Sequence, residues 1–315
     1  MARERAGSAV ARVARVLCSS RVGQRIPTVS ELVDRTEVSR GSVQNALGHL
    51  KGAGAVGLEA HGQLGTLLTS IDYEAMAHAS GVEHLVGVMP LPYTRRYEGI
   101  ATGLFTQFSR SSLRTYITFL RGSEARAQSL ADGFANYCVL SRLAFDDLVA
   151  RGMPLEAVLD LGPGSYVSRH VIVRSPDAPA GWVGARVGFD ATSPDQMLLT
   201  SRYFGSYDVR LVPVQYSNII EMLRAGQIDA AIWNMDDAHV AEEGIVCEEI
   251  GPVAGALAER GAAGAASTPD DDTRAVVAAL AGDGLTTNLL RTLVDVDELG
   301  RTQQAVMAGE MLARY

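Results

Sequence analysis

The feature that most constrains this chain is the run at residues 26–69, IPTVSELVDRTEVSRGSVQNALGHLKGAGAVGLEAHGQLGTLLT. Thr28 opens a short helical pattern: its side-chain oxygen can accept from the orphan N–H groups of a helix start, and Glu31 three residues on completes a capping box. A break at Thr36-Glu37-Val38 follows, and Ser39 caps a second helix. In that helix Val43, Ala46, Leu47 and Leu50 recur at i, i+3, i+4 and i+7, so one face turns inward. The other face carries Arg40, Ser42, Gln44, Asn45 and His49, side chains able to bond base edges and phosphates in a major groove. Two short apolar runs then flank His61-Gly62-Gln63-Leu64-Gly65, the pattern of a hairpin with a glycine-rich tip. Two capped helices, a short turn and a hairpin in that order describe a winged helix-turn-helix. Thr28, Ser39, Arg40, Ser42, Gln44 and Asn45 are expected at DNA, with His61 and Gln63 on the wing tip near the backbone or minor groove.

Charge supports this division. Residues 1–70 hold nine Arg/Lys against five acids, a net +4, while the whole chain is −8, which leaves −12 for residues 71–315. A basic head on an acidic body places the attraction for a polyanion at the N-terminus. Ahead of the capped pair, Val10, Val13, Ala14 and Leu17 have helical spacing. Arg12 and Arg15 interrupt that segment, so it reads as a first helix and not as a secretory leader. No apolar run reaches the ~18 residues of a membrane span. Cys18, Cys138 and Cys247 are scattered and odd in number, without CxxC or HExxH, so neither a disulfide framework nor a metal site is expected. A cytoplasmic protein without cofactor fits these features.

Residues 71–81 read as a linker, with a short connecting helix near Tyr73. Beyond them, strand-like runs alternate with helix-length amphipathic segments: HLVGVMPLP, LRTYITFL, YCVLSR, AVLDLGPGSYVSRHVIVR, GARVGFD, VRLVPV and DAAIWN, with helices expected to close the chain. Such alternation implies an α/β architecture with parallel sheets, which bind ligands at the carboxyl ends of strands. Those ends hold the unusual residues: Tyr93, Arg95 and Glu98 after the first run, Arg121-Gly122-Ser123 after the second, Ser141 and Arg142 after the third. Gly164, Ser165 and Tyr166 sit in a rigid turn, Asp190 and Ser193 before a helix, and Trp233 and Asn234 at the last strand end. Arginines beside turns rich in N–H groups imply an anionic or zwitterionic small ligand. Arg142, Arg121, Arg95, Ser165 and Asp190 are the principal expected contacts, Tyr93 and Trp233 the walls, and Glu98 the partner for a cationic end.

IPTVSELVDRTEVSRGSVQNALGHL with its HGQLGT wing resembles the GntR-like winged helix-turn-helix. MPLPYTRRYEGIATGL, GPGSYVSRHVIV, VGFDATSPDQMLLT and IDAAIWNMD resemble the YhfZ-type bacterial transcriptional regulators, a likeness covering nearly the whole chain from about residue 26. The resemblance implies that residues 82–315 form a two-lobed effector domain similar to type 2 periplasmic-binding folds. Lobe one would be 82–168 plus 237–315 and lobe two 169–236, with crossovers near 162–167 and 233–237.

The resulting expectation is a sequence-specific transcriptional regulator. Its partners would be a double-stranded DNA operator and a small-molecule effector, and a homodimer is expected because one such head reads only about half a turn of groove. The competing reading makes the body a ligand-free oligomerisation or protein-interaction module. An enzyme is not expected. Ser165, His170 and Asp190 could be imagined as a triad, but G-x-S-x-G is absent, and so is the phosphate-cradling G-x-x-x-x-G-K-[ST].

Overall fold

A computed structural model describes residues 2–236, 244–250 and 273–315. The head begins with α1 (Ala2–Cys18), followed by α2 (Val29–Thr36), α3 (Arg40–Gly52) and an antiparallel hairpin of β1 (Val56–Ala60) and β2 (Thr66–Ile71). Val13, Ala14 and Leu17 of α1 are fully buried, as are Leu32 of α2 and Val43 and Leu50 of α3, so the periodic apolar positions of all three helices meet in one core. Fully burying each of the Val and Leu side chains among them contributes about 1.5–3 kcal/mol.

The segment expected to be a linker is α4 (Tyr73–Ala79), capped by the Asp72 carboxylate, which accepts from the Ala75 N–H at 3.0 Å. It is not a tether: Met76 and Ala77 are fully buried and belong to the same apolar cluster as Leu17, Leu50 and Leu68.

Two mixed sheets form the body. The first has strand order β4-β3-β5-β12-β6, from β3 (His84–Met89), β4 (Arg114–Phe119), β5 (Tyr137–Ser141), β6 (Leu155–Asp160) and β12 (Ala275–Leu280). The second runs β11-β7-β10-β8-β9, from β7 (His170–Arg174), β8 (Arg186–Phe189), β9 (Arg210–Pro213), β10 (Ala230–Asn234) and β11 (Val246–Glu249). Helices α5 (Arg95–Phe108), α6 (Ser123–Ala131), α7 (Arg142–Ala150), α10 (Gly284–Leu293) and α11 (Val296–Ala308) serve lobe one; α8 (Pro194–Phe204) and α9 (Ile219–Arg224) serve lobe two. On α5, Gly99 and Gly103, one turn apart, admit α11: a Cβ on Gly99 would stand 2.8 Å from the Gln303 Cα, and one on Gly103 2.9 Å from the Leu299 Cγ.

Three expectations about the body change. The sheets are not purely parallel: β12 runs antiparallel to both β5 and β6, and β7 antiparallel to both β10 and β11. Helices alone do not close the chain, since β11 and β12 precede α10. Lobe two also does not end at residue 236, because β11 completes its sheet; the described part of lobe one resumes at 273, and residues 237–243 and 251–272 lie outside the described residues.

The head and lobe one share a core. One continuous apolar cluster runs from Val10, Leu17, Val43 and Leu50 through Met76 to Leu85, Ile100, Leu285 and Leu289. Helix α1 is the joint, packing on α3, α4 and α10. Lobe two has separate clusters, around Ile172, Leu199 and Ile232 on one face of its sheet and Val173, Leu223 and Trp233 on the other.

Candidate functional site

The head presents a polar helix beside a hairpin tip. Thr28 Oγ1 accepts from the Glu31 N–H at 3.3 Å, and the Thr28 N–H donates to Glu31 Oε2 at 2.6 Å, completing the capping box of α2. The Thr28 backbone N–H is the main cause holding the Glu31 carboxyl below its ordinary range. Ser39 Oγ caps α3 by accepting from the Ser42 N–H at 3.2 Å and lies 2.9 Å from Ser42 Oγ. Arg40, Gln44, Asn45 and His49 are exposed along one side of α3, as are His61 and Gln63 at the hairpin tip. His61 Nε2 stands 3.6 Å from the Glu59 carboxylate. Thr28, Ser39 and Ser42 thus shape the helix starts, while Arg40, Gln44 and Asn45 hold the surface that a groove would meet.

The second site is the cleft between the lobes, where a cavity of about 120 Å³ remains. The lobes touch around it: Ser141 Oγ donates to Asp195 Oδ1 at 2.6 Å, and Arg121 Nη1 donates to Ser217 Oγ at 3.2 Å while its Nη2 donates to Tyr93 Oη at 2.9 Å. Arg96, buried on α5, ties the lobes at the crossover: it donates to the Gly164 carbonyl and pairs with Asp236 at 2.9 Å, and Asp236 Oδ2 also accepts from the Ser168 N–H at 2.8 Å.

Of the residues singled out in the sequence, Tyr93, Arg121, Tyr166, Asp190, Ser193 and Asn234 line this cavity. Asp190 accepts from the Thr192 N–H at 2.8 Å, Thr192 Oγ1 at 2.6 Å and the Tyr216 N–H at 2.9 Å. Ser193 caps α8, and Asn234 Nδ2 donates to Tyr216 Oη at 2.6 Å.

The other expected contacts lie elsewhere. Arg142 starts α7 and turns outward to Asp146 at 2.9 Å and Asp160 at 3.9 Å, because a carboxylate one helical turn on captures it. Arg95 is exposed on the side of α5 facing Gly309; its neighbour Arg96 is the buried one. Glu98 faces Tyr315 in the C-terminal tail, where burial and then the Glu98 carboxylate raise the phenol's pKa. Ser165 is spent on structure, its hydroxyl donating to the Gly162 carbonyl at 2.6 Å and accepting from the Ala275 N–H at 2.8 Å. Gly164 serves Arg96 through its carbonyl, and its N–H donates to Thr273 Oγ1 at 3.0 Å. Ser141 caps α7 and bridges to Asp195 beneath the cavity wall. Trp233 lies in the apolar cluster on the far face of its sheet, stacked on Tyr216 at 4.2 Å, so it backs the wall without forming it.

Reading strand ends alone missed Arg126 and Tyr216. Arg126, on the first turns of α6, is 4% exposed and lines the cavity. Its Nε donates to the Val139 carbonyl, its Nη1 to the Leu120 carbonyl and its Nη2 to Tyr166 Oη, at 3.0, 3.0 and 3.2 Å. All three acceptors are neutral. An i+3, i+4 relation to the Gly122-Ser123 strand end was the available signal, since it brings position 126 to the same helix end. The imagined triad is not assembled: Ser165 and Asp190 direct their hydrogen bonds to the partners above and neither bonds His170.

Comparison with known proteins agrees with both units. Residues 72–315 match the family described as YhfZ C-terminal domain, and residues 21–68 match a helix-turn-helix domain. The Escherichia coli (strain K12) protein YhfZ is 33% identical over 317 residues, spanning 98% of this chain and 97% of its own length. This chain belongs to the YhfZ family. A crystal structure of YhfZ from Shigella flexneri superposes with a TM-score of 0.63 at 31% identity, covering 78% of this chain and 98% of that one. The periplasmic aliphatic sulphonate binding protein SsuA of Escherichia coli superposes with a TM-score of 0.50 at 17% identity, covering 72% and 78%, which shows that the YhfZ body has a periplasmic-binding-like fold. Among the described residues no helix is long and apolar enough to cross a membrane, and no group of three or more His, Cys, Asp or Glu could hold a metal ion.

Proposed function

We propose that this YhfZ-family chain is a sequence-specific transcriptional regulator that binds operator DNA as a homodimer. Its cleft binds a small anionic or zwitterionic metabolite, and it acts by binding, not by catalysis. The observation that carries the reading is the physical continuity of the two units: α1 packs at once on the recognition helix α3 and on α10 of lobe one, which forms one wall of the cavity. A ligand that alters how lobe two sits on lobe one acts on a body to which the head is fastened by a packed core, not by a flexible tether. Two heads related by two-fold symmetry would then change spacing against half-sites roughly 10 bp apart or a multiple of that.

Such coupling between sites is typically ~1–3 kcal/mol, so saturating effector should change operator affinity about 5- to 150-fold. The test pairs a thermal-shift screen of anionic and zwitterionic metabolites with anisotropy on DNA selected from a random pool. A compound that raises the melting temperature and shifts DNA affinity supports the reading. Stabilising compounds that leave DNA affinity untouched would sink it.

A further inference from the structure

The cavity is electrically divided. Arg121, Ser123 and Arg126 come from the β4–α6 segment of lobe one, and Asp190, Asp195 and Gln196 from the β8–α8 segment of lobe two. Arg126 is 4% exposed and Asp190 5%. Among the described residues neither has an ionic partner: Arg126 bonds only two carbonyls and a phenol, and Asp190 only two N–H groups and a hydroxyl. Three of the five guanidinium N–H groups of Arg126 are thereby used, which leaves two. Buried charges are ordinarily paired. Here a cation and an anion border one cavity from different lobes, each satisfied by neutral dipoles alone.

Two further groups point the same way. Ser123 Oγ, 5% exposed on the first turn of α6, has no hydrogen-bond partner among the described residues. That helix starts at Gly122 with no side-chain cap, so a donor hydroxyl adjoins a helix N-terminus whose N–H groups favour an anion. On the lobe-two side Gln196, 3% exposed, gives its amide N–H to the Ile232 carbonyl, and its Oε1 acceptor has no donor among the described residues. The open Arg126 and Ser123 donors thus lie on lobe one, and the open Gln196 acceptor on lobe two.

Resting on the effector-cleft reading above, we propose that the ligand is a small zwitterion lying across the cleft. Its oxyanion meets Arg126, Arg121, Ser123 and the start of α6, and its ammonium meets Asp190 and Gln196. At about 120 Å³ the cavity is somewhat smaller than the roughly 150 Å³ pocket that holds benzene. A cavity of that size suits an amine and a carboxylate, sulfonate or phosphonate one or two carbons apart. Such a molecule supplies both missing counter-charges at once and draws the walls together, so it binds the closed arrangement of lobes more tightly than the open one.

The test is calorimetric titration of the full chain with glycine, β-alanine, 2-aminoethanesulfonate and aminomethylphosphonate, with acetate and methylammonium as half-ligands. At least one zwitterion should bind, with each half-ligand weaker by about a hundredfold or more. Which of the four binds best identifies the oxyanion. Arg126→Gln and Asp190→Asn should each weaken that zwitterion at least about tenfold. Because Arg126 also holds backbone carbonyls, the exposed Arg121→Gln provides a variant that spares the core and should weaken binding in the same sense. Acetate binding as well as the zwitterions would overturn the dipolar class while leaving an anion-sensing cleft. Binding only of larger zwitterions would overturn the size class alone. If no compound in a broad metabolite set binds, both this proposal and the effector reading fall.

Discussion

Leu17→Ala is expected to loosen the recognition helix α3 and the lobe-one helix α10 together and by the same amount. Leu17 is fully buried on α1, in the cluster that contains Leu50 of α3 and Leu289 of α10, and α1 touches both helices. Truncating a core leucine costs about 2–5 kcal/mol, the lost transfer energy plus the cavity left behind. If head and lobe one form one cooperative unit, that loss lowers the opening free energy of every amide in the unit. Hydrogen exchange in α3 and α10 should then accelerate by one common factor, about 30-fold to a few thousand-fold. The assay is hydrogen exchange followed by mass spectrometry on the intact chain. Leu199→Ala is the control: it lies in a separate lobe-two cluster, and should speed exchange in β10 while leaving α3 unchanged. Faster exchange in α3 with α10 unmoved by Leu17→Ala would refute the shared core, and with it the mechanical route from cleft to head.

Three other outcomes follow from single features. Arg96→Ala strands the Asp236 carboxylate in the crossover, where the pair's side chains are 9% and 12% exposed; it should cost about 3–5 kcal/mol in urea unfolding, and Arg96→Ala with Asp236→Asn should cost less. The Arg186 guanidinium, bonded to the Asp229 carboxylate, holds that carboxyl below its ordinary range. A depressed folded pKa contributes stability that is present above the ordinary aspartate value of about 4 and is lost as pH falls through the folded value, so Asp229→Asn should flatten the acid limb of the stability curve. Burial pushes the Cys18 and Cys138 thiols up to about 12, so a thiol reagent at mildly alkaline pH should modify the half-buried Cys247 well before either; Cys18 reacting at its unfolded rate would contradict the packed α1 joint.

The head was legible because its signals are local. Caps at Thr28 and Ser39 and the 3.6-residue spacing of Val43, Ala46 and Leu50 lie within one or two turns of what they control. The body was legible as alternating elements but not in its closure. AVVAAL at 275–280 shows no polar alternation because β12 sits second from the edge of its sheet, between β5 and β6, with residues 275–279 buried on both faces, and a short apolar run of that kind cannot be told from helix by period. Among site residues, the strand ends led to Arg121 and Asp190, which line the cavity. They misled at Arg142 and Ser165, because Asp146 and the Ala275 N–H claim those side chains across distances that only the folded chain reveals. Arg126 was hidden for the converse reason: among the described residues it has no carboxylate partner, and a missing partner is something no sequence pattern records.

The most direct test of the central claim measures DNA selectivity with the recognition face altered. Oligonucleotides selected by the full chain from a random pool would be titrated by anisotropy across a salt series with wild type, Arg40→Ala, Gln44→Ala and Asn45→Ala, each checked as folded. A regulator reading DNA through α3 should lose about 1–3 kcal/mol with Gln44→Ala or Asn45→Ala and relax its base preference, and with Arg40→Ala should lose affinity for all sequences and show a shallower salt slope. Equal affinity for selected and random DNA, or variants that bind as tightly as wild type, would contradict it.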